Sequence, residues 1–249
     1  GGEETRANPY LAELQQEMFV ELNPKAANDR GIRNGDFVWV KTPPMQAVPE
    51  FKGIRVKAMV TERVDAETVF QLASLSKPLG STAVAGVVGR GLLDWNPPIV
   101  SELPDFALSD PYVTANVTVA DMYSHRRGLP GAPGNDLETF GEGQAEIVRR
   151  LRYLPLGPFR AQYSYSNFGL TVGGLAAASA YGTSFARMAD EVLFTPAGMT
   201  STSYSYADFV ARDNAARLHA RRDGRFQALF TRNADAQAPA GGASSNVVD

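Results

Sequence analysis

FQLASLSKPLGSTAVAGVV, residues 70–88, sets a serine three places ahead of a lysine where a long helix begins. Leu79, Val84, Val87, Val88 and Leu92 recur at helical spacing and predict an apolar face over a helix at 74–93. Three residues of helix put Ser74 and Lys77 on one face, with the amine in reach of the hydroxyl. A free serine hydroxyl is a poor nucleophile until a base takes its proton. A lysine becomes that base only if desolvation or a nearby cation lowers its pKa. Pro78 has no N–H and fits only near a first turn, so Ser74 is expected at the amino end. There the free amides and helix dipole favour a developing oxyanion.

About ninety residues downstream stands Tyr165-Ser166-Asn167. A tyrosine set against both groups can relay the proton, and its asparagine neighbour can hold substrate or orient the lysine. Each element alone has a plainer reading: Ser74 as a helix cap, Lys77 as a solvated side chain, Tyr165 as a half-buried tyrosine. Ser76 and Ser81 are rival hydroxyls without a lysine at +3, and Tyr163 is a rival phenol without an asparagine at +2. His125, in a turn, and His219, on a strand, read as structural.

Composition sets the outer bounds. The chain has 249 residues, enough for one large domain or two small ones. Its net charge of −3 offers no basic excess for nucleic acid or an anionic membrane. The absence of cysteine excludes disulfides, thiolate metal sites and a cysteine nucleophile, and two histidines are too few for a histidine-rich metal centre. No apolar run approaches the ~20 residues of a membrane-spanning helix. The opening Gly1-Gly2-Glu3-Glu4 is no signal peptide and reads as a cut end.

The texture changes near residue 70. Before it, a helical pattern at Pro9–Gln16 precedes a strand at Met18–Leu22. A helix opened by Asn23-Pro24 and stopped by Gly31 follows, then alternating strands at Asp36–Lys41 and Ile54–Val64. Pro43, Pro44 and Pro49 hold the connection open. This is a small strand-rich unit of barrel type. After it come helices at Thr118–Tyr123, Gln144–Leu154, Asn167–Tyr181 and Phe185–Leu193, and a hairpin at Arg217–Arg232 turning at Asp223-Gly224.

The second region resembles the beta-lactamase-related serine hydrolase family, which includes class C beta-lactamases and related esterases. The matching stretches are FQLASLSKPLGSTAVAGVV, GLLDWNPPIVSELPDF, VTVADMYSHRRGLPG, YSYSNFGLTVGGLAAA, LFTPAGMTSTSYS and PAGGASSNVVD. The resemblance implies Ser74 as the acylated nucleophile, Lys77 as its proton partner, Tyr165 as general base and Asn167 as a substrate contact. It also implies cleavage of a small amide or ester substrate without metal or cofactor, and a periplasmic or exported setting in relatives. The family's third motif, Lys or His one residue before Gly, is expected after PAGGASSN; the chain stops at Asp249, and Arg222-Asp223-Gly224 reads better as a turn. Loss of one oxyanion donor of that kind costs roughly 10²–10³ in rate.

The front end resembles an unrelated family. GGEETRANPYLAELQQEMFVELNPKAANDRGIRNGDFVWVKTP, continuing through IRVKAMVTERV, is similar to the carboxy-terminal molybdopterin-dinucleotide-binding domain of formate dehydrogenases. That resemblance implies Gly2, Thr5 and Arg6 as pterin contacts; a solvated terminus is the plainer reading. The expectation is therefore an α+β chimera joined near Phe70. Residues 1–70 form a partial molybdopterin-dinucleotide-binding-like segment, and 71–249 the mainly helical part of a truncated beta-lactamase/transpeptidase-like fold. Its function is that of an impaired serine hydrolase, with an inert fragment or a piece of a molybdopterin oxidoreductase as alternatives. Exposed strand edges suit self-association.

Overall fold

The computed structural model describes residues 18–40, 53–223 and 225–249. The expected helix at Pro9–Gln16, the Pro43, Pro44 and Pro49 connection and the pterin candidates Gly2, Thr5 and Arg6 lie outside the described residues. The chain divides into two compact units, Gly1–Thr68 and Val69–Asp249.

In the first unit, β1 (Phe19–Leu22), α1 (Pro24–Asn28), β2 (Phe37–Val40) and β3 (Ile54–Val60) follow one another. Asn23 caps α1 by accepting from Lys25 N–H, and Pro24 fills the first turn, where its missing donor costs nothing. β3 is central, parallel to β1 and antiparallel to β2. The period-two pattern buries Val56 and Ala58 on one face and leaves Phe19, Phe37 and Trp39 exposed. The expected barrel is corrected to an open sheet among the described residues: β1 and β2 are both edges, so no ladder closes.

The second unit is mainly helical. Its two-residue strand β4 (Phe70–Gln71) runs into α2 (Ser76–Gly89), and then come α3 (Val119–Tyr123), α4 (Gln144–Arg150), α5 (Asn167–Tyr181) and α6 (Phe185–Ala189). The hairpin β5 (Leu218–Arg222) and β6 (Arg225–Phe230) follows, then α7 (Ala238–Gly241) and the short strand β7 (Ser244–Ser245). Several ends depart from α geometry where a straight helix was expected. Ala73–Leu75 is a 3-10 turn ahead of α2, Leu151–Tyr153 another after α4, and Asp190–Phe194 a π turn after α6. The cause at α2 is visible in the backbone: Ala73 sits at φ 47, which no α-helix continues through.

α5 is the central helix. It buries Phe168, Leu170, Val172, Ala176 and Ala177 and packs against α2, α3 and α7. Its glycines serve close approach: an added Cβ at Gly173 would lie 2.9 Å from the Tyr123 ring, and one at Gly174 2.7 Å from Pro239. α3 begins with a reciprocal capping box between Thr118 and Asp121, whose carboxylate also takes Arg160 at 2.8 Å.

β4 and β7 pair antiparallel, Phe70 opposite Ser245 and Gln71 opposite Ser244, and Leu72 N–H continues the ladder to Ala243 C=O at 2.8 Å. One turn further, the fully buried Ser76 Oγ accepts from Ala243 N–H at 2.9 Å, and its carbonyl accepts from the Tyr204 hydroxyl. Ser76 is thus a structural hydroxyl joining the start of α2 to the segment before β7.

Two stability changes follow from this packing. Gly174→Ala gains ~1 kcal/mol of helix propensity, but its methyl collides with Pro239 and the Phe185 ring. Overpacking of about 1–3 kcal/mol wins, and a urea titration should show net destabilisation; an unchanged or raised midpoint would show that α7 yields freely. Ser76→Ala strands the Ala243 amide and should cost ~1–3 kcal/mol on the same measurement. A loss indistinguishable from zero would reject the hydrogen bond as a structural tie.

Candidate active site

Ser74 is exposed in the 3-10 turn that the strained Ala73 creates. A non-glycine residue in the left-handed region costs on the order of 1–3 kcal/mol, and such strain survives only where neighbours hold it. Here the β4–β7 ladder holds the turn on one side and α2 on the other.

The turn aims Ser74 Oγ at Tyr165 Oη, 2.7 Å away. Lys77, one turn into α2, donates from Nζ to Ser74 Oγ at 3.0 Å, to Asn167 Oδ1 at 2.7 Å and to the Ala240 carbonyl at 2.9 Å. All three ammonium hydrogens are therefore spent. The same nitrogen lies 4.6 Å from the centre of the Tyr165 ring. Burial, the largest influence, moves the Lys77 pKa below the ordinary lysine range; Tyr165 opposes this and Arg232 assists it.

Asn167 is the first residue of α5, and the motif is set locally. Ser166, in extended backbone, caps the helix by accepting from Gly169 N–H at 2.8 Å, leaving Tyr165 just before the cap and Asn167 just after it. Tyr-x-Asn thus straddles a helix start, which turns both side chains towards Lys77.

The four residues read from the sequence therefore meet, and the rival groups do not. Ser76 is buried against Ala243, and Ser81 Oγ donates to Pro78 C=O at 2.9 Å. Tyr163 is exposed, its ring edge-on to His125 at 5.4 Å. His219 lies exposed on β5 with Nδ1 donating to the Arg217 carbonyl at 2.8 Å, a local turn contact. A cavity of about 540 Å³ lined by Arg187, Asp190, Asp208 and Arg212 includes none of the four.

Three neighbours were not foreseen as part of the site. The Ala240 carbonyl is one; its signal in the sequence was only the PAGG run, since backbone acceptors leave no side-chain signature. Arg232 acts on Lys77 through its charge while paired with Glu138 at 2.9 Å. His125, read as a turn residue, is in a turn at φ 58, but it is buried and its ring lies 4.9 Å from that of Tyr165.

The chain is 30% identical over 166 residues to an unguisins hydrolase from Aspergillus campestris, a match covering 63% of this chain and 31% of that protein. The class C beta lactamase structure from Rhodobacter sphaeroides superposes with a TM-score of 0.60 at 23% identity, over 75% of this chain and 50% of that one. The chain is 38% identical over 69 residues to formate dehydrogenase 2 subunit alpha from Nitratidesulfovibrio vulgaris, covering 28% of this chain and 6% of that protein. The chain spans about a third of the length of the hydrolase relatives it matches. The molydopterin dinucleotide binding domain model matches residues 1–83. The Beta-lactamase family model matches residues 51–249, most of the chain, and the chain belongs to that family.

Proposed function

We propose that the chain is a serine hydrolase of beta-lactamase or esterase type, cleaving a small amide or ester through an acyl-enzyme on Ser74. The observation that carries this reading is the convergence of Ser74 Oγ, Lys77 Nζ and Tyr165 Oη within 3.0 Å contacts. As Oγ attacks the substrate carbonyl carbon, its proton crosses the 2.7 Å bond to Tyr165 Oη while the phenol passes its own hydrogen to the leaving-group atom, so Tyr165 relays the proton and stays neutral. The leaving group departs with that hydrogen as the amide or ester bond breaks. Water then attacks the acyl carbon, giving its proton back along the same path, and the acid departs with Ser74 restored.

Lys77 supports the transfer as a cation whose charge offsets the negative charge that develops on Ser74 Oγ. Asn167 holds the Lys77 amine from the other side and presents to substrate the amide hydrogen that it does not give to Asn135 Oδ1. The Ser74 amide, at the turn ahead of α2, serves as an oxyanion donor.

The domain plan belongs to the same proposal. Two family models that overlap at residues 51–83 fit a chimera joined near residue 70, a molybdopterin-dinucleotide-binding-like segment ahead of a hydrolase domain. Gly2, Thr5 and Arg6 fall outside the described residues.

A fluorophosphonate or penicillin-type probe should label the chain once, and Ser74→Ala should abolish the label. Tyr165→Phe should slow labelling by ~10²–10⁴-fold, the usual contribution of a positioned proton acceptor. Label that survives Ser74→Ala rejects Ser74 as nucleophile. An unlabelled chain that still melts cooperatively supports an inert fragment instead.

A further inference from the structure

His125 holds Tyr165 from two sides at once. Its carbonyl accepts from Ser164 N–H at 2.9 Å, and its imidazole Nδ1 accepts from Ser166 N–H at 3.3 Å. The two amides flank Tyr165 in the chain, so one residue brackets the backbone on either side of the phenol. Its ring then lies against the Tyr165 ring, 4.9 Å between centres and tilted by 34°. Geometry for this comes from the turn after α3, where φ 58 swings the imidazole inward beneath the 164–166 segment.

The imidazole has only one protonation state that fits. Nδ1 faces two donors, Ser166 N–H and Arg127 Nη1 at 3.4 Å, so it must carry a lone pair and the ring hydrogen must sit on Nε2. Arg127 is itself fully buried; Nη1 donates to the Ser164 carbonyl at 2.9 Å, while Nε and Nη2 find no partner. The groups that face the imidazole are Arg127 on its own turn, Tyr163 and Tyr165 on the following segment, and Lys77 through its charge from α2. Both charged ones are cations.

We propose that His125 is a positioning residue: neutral, it brackets Tyr165 against Ser74, and protonated it lets the Tyr165 segment go, so that acid switches the site off. The inference rests on the hydrolase reading above. Protonation would place a donor at Nδ1 against two donors and a third positive charge beside Arg127 and Lys77. Burial first, then those two cations, pushes the imidazole down to about 4. The native ring thus refuses a proton that the unfolded chain accepts from ~6.5 downwards. The stabilising contribution is complete above that range and is lost as pH falls towards 4.

The test is the rate of fluorophosphonate labelling at Ser74 between pH 3.5 and 8, with folding checked by circular dichroism at each pH. His125→Phe keeps a ring but cannot accept a hydrogen bond. It should slow labelling on the order of 10–100-fold through the rate constant and not through probe affinity, as for a reacting group set slightly out of place. His125→Asn offers Oδ1 close to the Nδ1 position, tolerates the left-handed backbone and does not titrate. It should label tenfold or more faster than His125→Phe and lack the parent's acid limb near pH 4. His125→Phe labelling at the parental rate while folded would overturn the inference and leave Ser74 chemistry standing. So would an acid limb unchanged in His125→Asn, which decides the matter alone if His125→Phe does not fold. A parent chain that takes no label at Ser74 rejects the hydrolase reading, and this inference with it.

Discussion

A partly buried ammonium is the constraint around which the second unit is arranged. Removing Lys77 from water without compensation would cost several kcal/mol. Its three donors meet acceptors that lie 3, 90 and 163 residues away along the chain: Ser74, Asn167 and Ala240. Hydrogen bonds to a charged group contribute roughly 1.5–3 kcal/mol each, so the cation is tolerated only when α2, the start of α5 and α7 are all in place. The requirement that makes Lys77 stable also places Tyr165 against Ser74, because Asn167 cannot reach the amine unless the Ser166 cap turns the chain there. Site geometry and helix packing are one problem here, solved once.

Close approach makes the solution reachable. Lys77 contacts Ala240 only because α7 presses on α5, and Pro239 lies where any side chain at Gly174 would be. Gly169 does the same for Arg127, whose Nε would be 2.1 Å from an added Cβ. The glycines and alanines of GLTVGGLAAASA cost helix propensity at their glycine positions, roughly 1 kcal/mol each. Tertiary contact at the Lys77 site repays it. The small-residue run is thus part of the site, and its Thr171 hydroxyl donates to the Asn167 carbonyl at 2.9 Å.

Local rules explain how much was legible. Ser74 and Lys77 are three residues apart, Thr118 opens a helix, and Asn23-Pro24 opens α1: each is decided within a few residues, so the sequence shows it. The α+β class and the division into a strand-rich front and helical remainder were legible for the same reason. Long-range choices were not. Nothing near residue 73 announces the left-handed alanine, because the ladder to Ala243 imposes it. Nothing near 240 marks its carbonyl as a lysine acceptor. The front unit's alternating strands read as a barrel because alternation says which face is buried and not whether a ladder closes; among the described residues, β3 lies between two edges. His125 read as structural, and its contacts are structural in kind: a carbonyl and a ring nitrogen holding backbone amides. Which amides they are is a tertiary fact.

Electrostatics ties these threads together. The chain carries a net charge of −3, yet the groups around Ser74 are cations. Arg232 is largely neutralised by Glu138, which also accepts from Gln237. Lys77 and Arg127 form no ion pair with a carboxylate among the described residues, and both are held below their ordinary pKa by burial, with Arg127 pushed down to about 10. Two such charges in a partly dry setting destabilise the resting fold and stabilise negative charge, wherever it appears nearby. An acyl transfer creates that charge in passing, on the serine oxygen and then on the substrate oxygen. The same field forbids a third cation, so the imidazole at 125 must be neutral for the arrangement to persist. A local cost in stability, borne by a buried arginine with unpartnered donors, is therefore the counterpart of a field aimed at a transient anion.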